Sequence, residues 1–179
     1  MNICFIDFET TGIDVFKDSP IEIGCVLVNE SNEILKSYYS YIHPRTKRRF
    51  TSSSIKIHGI EEELLQKAKS QKEVLAEFFK IMGFDFRFAG WNINFDVTFF
   101  RRMCHLNSYM RFYNKIYHRH IDIQSIVHYT KEINLLPNEL NSLDDLIHFF
   151  NLNRSIKHNA MEDAELTLEV YKKLLLMKF

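Results

Sequence analysis

Asp7 and Glu9 stand two residues apart at the end of an otherwise apolar stretch. In a strand, residues i and i+2 project from one face, so this spacing sets two carboxylates side by side at the C-terminal end of a buried strand. Burying one ionised carboxylate costs roughly several kcal/mol unless it is compensated, and a pair repels itself. A divalent cation offsets both penalties, because hard ions such as Mg²⁺ are held by oxygen ligands. The plain alternative is a strand that ends at Asp7 and leaves both groups in water. Asp96, in Trp91-Asn92-Ile93-Asn94-Phe95-Asp96, falls where a strand gives way to a helix, and the helix dipole alone favours an acid there. Asp163 lies early in the last helix, with His158 in the loop before it. An imidazole with a pKa of about 6.5 can take a proton from water near neutral pH; dipole decoration and a solvated loop explain the same two residues without chemistry. Thr10-Thr11-Gly12 suits a turn whose backbone N–H groups face an anion.

The elements that must position these groups can be read from periodicity. Residues 2–8, 21–28 and 34–42 read as strands, with Asn29-Glu30-Ser31-Asn32 as the tight turn between the last two, so the opening third is an antiparallel meander. The period then changes. Residues 70–82 set Val74, Leu75, Phe78, Phe79 and Met82 on one helical face. Residues 86–90 read as a strand, followed by a helix through Asp96, Phe99, Phe100 and Met103, and residues 120–123 as a short strand. Ser142 with Asp145 three positions on resembles a capping box opening a helix over 143–150. The last helix, 160–177, carries Ala164, Leu168, Tyr171 and Leu175 as a stripe. Strands first, then strands alternating with helices, predict an α/β fold with a mixed sheet covered by helices.

Composition sets the outer bounds. A chain of 179 residues is about one domain long, so 1–179 is read as a single domain. Twenty-three basic residues balance twenty-three acidic ones, which excludes a polybasic nucleic-acid coat and an acidic tail but not a local basic patch. Arg45, Lys47, Arg48 and Arg49 form the densest such cluster; they could contact phosphates or simply be a solvated loop. Sixteen Phe and eight Tyr imply an aromatic-heavy core, and core packing is the first reading of any one Phe. Cys4, Cys25 and Cys104 leave an odd count with no close pair, which argues against a disulfide framework and a zinc motif. No apolar run approaches the about 18 residues of a membrane span. The N-terminus lacks a basic region, and Asp7 and Glu9 break its apolar stretch, so no signal peptide is read. The expected compartment is a reducing cytoplasm.

Taken together, the motifs resemble a known family. Asp7-Phe8-Glu9-Thr10-Thr11-Gly12 resembles the first motif of the DnaQ-like (DEDDh) 3′–5′ exonucleases of the RNase H-like superfamily. Asn92 to Asp96 resembles the second, ending in Phe-Asp, and His158-Asn159-Ala160-Met161-Glu162-Asp163 the third, a His five residues before an Asp. Ile57-His58-Gly59-Ile60 is similar to a further family segment. All four occur in the family's order across essentially the whole chain. Trp91 departs from the pattern, standing where many members carry His, at a position that concerns substrate fit rather than the five catalytic residues.

The resemblance implies an RNase H-like fold, with a five-stranded mixed sheet whose first three strands are antiparallel. It implies removal of nucleotides from the 3′ end of nucleic acid, DNA favoured and single-stranded ends expected, with release of nucleoside 5′-monophosphates. It implies two divalent cations, Mg²⁺ or Mn²⁺, with Asp7 bridging both, Glu9 and Asp163 completing the ion that holds the attacking water, and Asp96 serving the other. His158 is then the general base, and Thr10, His58 and Phe95 lie near the terminal nucleotide, where Phe8 or Trp91 could stack on a base. Some relatives are homodimers. The chain ends at Phe179, directly after its last helix, which leans towards a free-standing nuclease without a polymerase-binding C-terminal extension. Two other readings compete: an RNA-trimming exoribonuclease of the same family, and a nucleic-acid-binding module that does not cleave, whose mark would be a lost metal ligand; none is lost here. A structural domain with incidental acids fails to explain the ordered motifs.

Overall fold

A computed structural model describes residues 1–45, 59–60, 62–156 and 158–177. His58 and the basic residues Lys47, Arg48 and Arg49 lie outside the described residues. Strands β1 (Asn2–Thr10), β2 (Pro20–Val28) and β3 (Ile34–Tyr41) form the expected antiparallel meander. The short β4 (Phe86–Gly90) pairs in parallel with β1, and β5 (Tyr117–Asp122) in parallel with β4. The result is a five-stranded mixed sheet in the order β3-β2-β1-β4-β5, with β1 at its centre. Among the described residues the helices are α1 (Glu62–Gln66), α2 (Gln71–Met82), α3 (Ile93–Leu106), α4 (Met110–Tyr113), α5 (Ile123–Glu132), α6 (Leu143–Phe149) and α7 (Ala160–Leu175).

The period of two along β1 sorts the helices. Its even-numbered residues Cys4, Ile6 and Phe8 pack with α2 and α3 around Phe78 and Phe100. On the other face, Phe5 packs with Val127 of α5, Leu146 of α6 and Leu168 and Leu174 of α7. Both faces of the sheet are covered, which is why every residue of β2 is buried.

Several local signals form as expected. Asn29 Oδ1 accepts from the Ser31 and Glu33 amides and Asn32 takes φ 61°, which closes the hairpin. Ser142 and Asp145 form their capping box; Ser70 and Glu73, not singled out in the sequence, form another that opens α2. Other boundaries differ. β1 runs on to Thr10, so it does not end at Asp7, and both Asp7 and Glu9 lie within the ladder. β5 starts three residues before the expected 120, and α5 follows it directly where no helix is expected. Only Ile123, Val127, Thr130 and Lys131 of α5 are buried, so its inward stripe is too polar to stand out. α7 stops at Leu175, which is exposed; Leu174 takes the inward position instead. The three cysteines are buried and unpaired with one another as disulfides. Among the described residues no helix is long and apolar enough to cross a membrane.

Candidate active site

On the α7 side, β1 changes character along its length. Ile3 and Phe5 face the core formed with the last three helices, but Asp7 and Glu9, next on the same face, enter a cleft of about 330 Å³. Its lining also includes Trp91, Phe95, Asp96, Asp144, Arg154, His158 and Asp163. Five residues singled out from the sequence, Asp7, Glu9, Asp96, His158 and Asp163, thus share one wall-to-wall space although up to 156 positions separate them.

Each arrives by a different route. Beyond Phe5, β1 has no ladder partner in β4, and the Phe8 amide instead donates to Asp96 Oδ1 at 3.0 Å. That bond fixes the first turn of α3 against β1 and leaves Asp96 only 2 % exposed. Asp163 comes from the first turn of α7. The start of α7 can lie against the sheet because β2 carries Gly24 opposite Asp7. A Cβ on Gly24 would fall 2.2 Å from the Met161 nitrogen and 2.3 Å from the Ala160 carbonyl carbon. His158 precedes the helix in the left-handed region, at φ 53°. Ligand atoms of Glu9, His158 and Asp163 all lie within 4.8 Å of one another; Asp7 and Asp96 line the cleft beside this trio.

Two contributors, Glu22 and Arg154, had no counterpart in the sequence reading. Glu22 is 1 % exposed and sits directly opposite Glu9 in the β1–β2 ladder. It accepts from Tyr39 Oη at 2.5 Å, Asn159 Nδ2 at 3.0 Å and the Ala160 amide at 3.4 Å. A buried acid therefore holds the corner that carries His158. Asn159 in turn caps α7 by accepting from the Glu162 amide, and Glu162 accepts from the Ser155 and Ile156 amides. Arg154 bridges Asp144 and Asp163 through its two terminal nitrogens, and its buried Nε has no hydrogen-bond partner. The partners of Glu22 and Arg154 are set by the fold, and no local spacing marks them.

The electrostatics follow from this crowding. Burial pushes the Glu9 carboxyl up to about 8, with Glu22 and Asp96 adding to the rise and Arg154 opposing it. Asp7 is raised well above the usual carboxylate range by burial and then by Asp96, Glu9 and Glu22, again against Arg154. Burial also raises Asp96, against the hydrogen bonds from backbone amides, and raises Glu22, against its Tyr39 and Ala160 donors. A cleft of oxygen donors that resist ionising together, balanced by one arginine, fits the coordination chemistry of a hard divalent cation.

The expected substrate contacts divide. Phe95 and Trp91 line the cleft. Phe8, 4 % exposed, packs against Phe100 and belongs to the core. The Thr10 hydroxyl donates to the Gly12 carbonyl at 2.7 Å, and the Thr11 amide is taken by the Ser19 carbonyl at 2.9 Å. The expected anion-facing turn at Thr10-Thr11-Gly12 therefore lacks the Thr11 donor.

Comparison with known proteins gives concordant results. The exonuclease family RNase_T matches residues 4–171. DNA polymerase III PolC-type of Thermotoga maritima is 32 % identical over 169 residues, covering 93 % of this chain and 11 % of that protein. The 3′-5′ exonuclease DinG of Staphylococcus epidermidis is 32 % identical over 97 residues, covering 54 % of this chain and 10 % of the relative. The chain therefore spans about a tenth of the length of these relatives. Among solved structures, Escherichia coli exonuclease I in complex with a dT13 oligonucleotide superposes with a TM-score of 0.84 at 18 % identity, over 98 % of this chain and 41 % of that one. The fold is the RNase H-like one expected from the sequence.

Proposed function

Because the chain belongs to the RNase_T exonuclease family, we propose that it is a 3′–5′ exonuclease that hydrolyses the terminal phosphodiester of single-stranded ends, DNA by preference. The whole of 1–179 acts as one exonuclease domain. The observation that carries this reading is the convergence of Asp7, Glu9, Asp96, His158 and Asp163 on one cleft. The likeness of the fold to exonuclease I, solved with an oligonucleotide, and of the sequence to PolC-type polymerases supports the substrate class.

Asp7, Glu9, Asp96 and Asp163 would hold two divalent cations, Mg²⁺ or Mn²⁺. When bound, such ions supply Lewis-acid stabilisation of the phosphate oxygens and ease ionisation of the attacking water. His158, beside Glu9 and Asp163, takes the proton from that water as its oxygen bonds to phosphorus. The bond to the penultimate 3′ oxygen breaks, that oxygen regains a proton, and a nucleoside 5′-monophosphate leaves. Glu22 holds the Asn159–Ala160 corner, so the base keeps its place through each cycle. Phe95 and Trp91 give the terminal base a ring to stack on, a contact that tolerates any base.

Incubation with Mg²⁺ or Mn²⁺ and oligonucleotides labelled at either end, run as DNA and RNA, single- and double-stranded, tests the reading. The expected result is loss of the 3′ label as mononucleotide, fastest on single-stranded DNA, and a fall of at least ~10³ in rate in Asp7→Ala with an unchanged fold. Degradation from the 5′ end, no degradation with either ion, or retained turnover in Asp7→Ala would overturn it; faster cleavage of RNA would reassign the substrate to the exoribonuclease alternative.

A further inference from the structure

Beside the cleft, α3 and the loop joining β1 to β2 carry a second set of aromatic and basic side chains. Phe95 touches Phe99 with ring centroids 4.9 Å apart. Phe99 lines an adjoining hollow with Arg45, Arg102 and Leu106. Arg102 and Leu106 are shared with a second hollow of about 340 Å³ between α3 and the loop joining β1 to β2, which adds Phe16, Arg101 and His105. From Phe95 to Arg102 the axis of α3 rises ~10 Å, so both hollows lie within about two helical turns of the active cleft along α3.

Two properties define its occupant. The first is charge. Arg45, Arg101, Arg102 and His105 face the hollows, and the lining acid, Asp18, is turned inward to the Asp14 amide at 2.9 Å and the Thr11 hydroxyl at 3.4 Å. The nearby Asp14 pairs with Lys17. In a chain of zero net charge this is a local basic surface. The second is a rigidly presented aromatic. Phe16 is 77 % exposed, yet its backbone is pinned: its amide donates to Asp14 Oδ1 at 2.9 Å, and its carbonyl accepts from Arg102 Nη2 at 2.8 Å. The Arg102 guanidinium also lies 5.4 Å over the ring. An ordered ring open to water among cations suits a partner that is both anionic and flat, and single-stranded nucleic acid offers phosphates and bases together.

We propose that the loop joining β1 to β2 and the outer face of α3 form the track for the strand 5′ of the cleaved bond, with Phe16 stacking on a base and Arg101, His105 and Arg45 meeting phosphates. This rests on the exonuclease reading of the cleft for its direction. Arg102 holds the loop, so the test uses Phe16→Ala, Arg101→Gln and the double variant, each checked for an unchanged melting temperature.

Binding of a fluorescein-labelled dT20 measured by anisotropy in EDTA needs no cleavage. The double variant should weaken it at least tenfold and lower the salt slope by about one for the cation removed. With metal, kcat/KM on dT20 should fall by a similar factor, mainly through KM, while the p-nitrophenyl ester of thymidine 5′-monophosphate, which fills only the terminal site, should be hydrolysed as by the parent. Unchanged dT20 affinity overturns the track, as does an equal loss on the ester. A parent protein that binds dT20 through Phe16 but hydrolyses neither substrate would sink the exonuclease reading and leave the track standing.

Discussion

Along β1 the even-numbered residues Cys4, Ile6 and Phe8 meet α2 and α3 in a core of interlocking rings, while the odd-numbered Phe5, Asp7 and Glu9 meet α7. At the centre of the first face Phe78 contacts Tyr38, Phe79, Phe86, Phe88 and Phe100 at centroid distances of 4.8–6.4 Å. The second face begins apolar at Phe5 and then gathers Asp7, Glu9, Glu22, Asp96 and Asp163, with the Arg154 guanidinium paired to Asp163 and opposing the repulsion at Asp7 and Glu9. One face stores stability by excluding water; the other gives some up by burying groups that repel. The contrast teaches that the acidic half can exist because the aromatic half, one residue out of phase on the same strand, holds β1 in place.

The comparison can be broken most directly from the stable side. Phe78→Ala removes the hub of the ring cluster and should lower unfolding free energy by about 3–5 kcal/mol, read by denaturant melts, while the rate per folded molecule stays at the parent value. A loss of turnover without loss of stability would show that the two faces are not separable. Gly24→Ala strikes the boundary, since its methyl would meet the backbone of α7. It should cost about 2 kcal/mol and, by displacing His158 and Asp163, about a hundredfold in kcat; single-turnover kinetics beside thermal melts separate the two.

The acidic side is sharpened by pH. The Glu9 carboxyl titrates at about 8 in the folded chain, against 4.5 for the free group. Its contribution to stability is therefore complete below pH 4.5 and is lost as pH rises towards 8. Metal-free protein should lose roughly 3–4 kcal/mol between pH 5 and 8, Glu9→Gln should flatten that slope, and Mn²⁺ should restore the parent by mass action. A parent whose metal-free stability is level across this range would remove the argument from buried repulsion.

Much of this was legible in the sequence, for reasons that differ by residue. A period of two put Asp7 and Glu9 on one face, and their helix-start contexts placed Asp96 and Asp163. The hairpin and the Ser142–Asp145 cap are local signals, written within five residues. Glu22 and Arg154 were not legible. Glu22 reads as one more polar residue entering a strand, and only the approach of residues 159–160 from the far end of the chain gives it a task. Gly24 carries no turn signal, because its smallness serves a distant helix rather than its own backbone. α5 was hidden by a stripe in which Thr130 and Lys131 take core positions, the lysine by donating to the Leu140 carbonyl and Asn141 Oδ1.

The seat that Gly24 makes for α7 bears on how this polypeptide matures. His158 and Asp163 follow every strand of the sheet in chain order, so the whole sheet can pair before α7 brings the last two groups of the cleft to it.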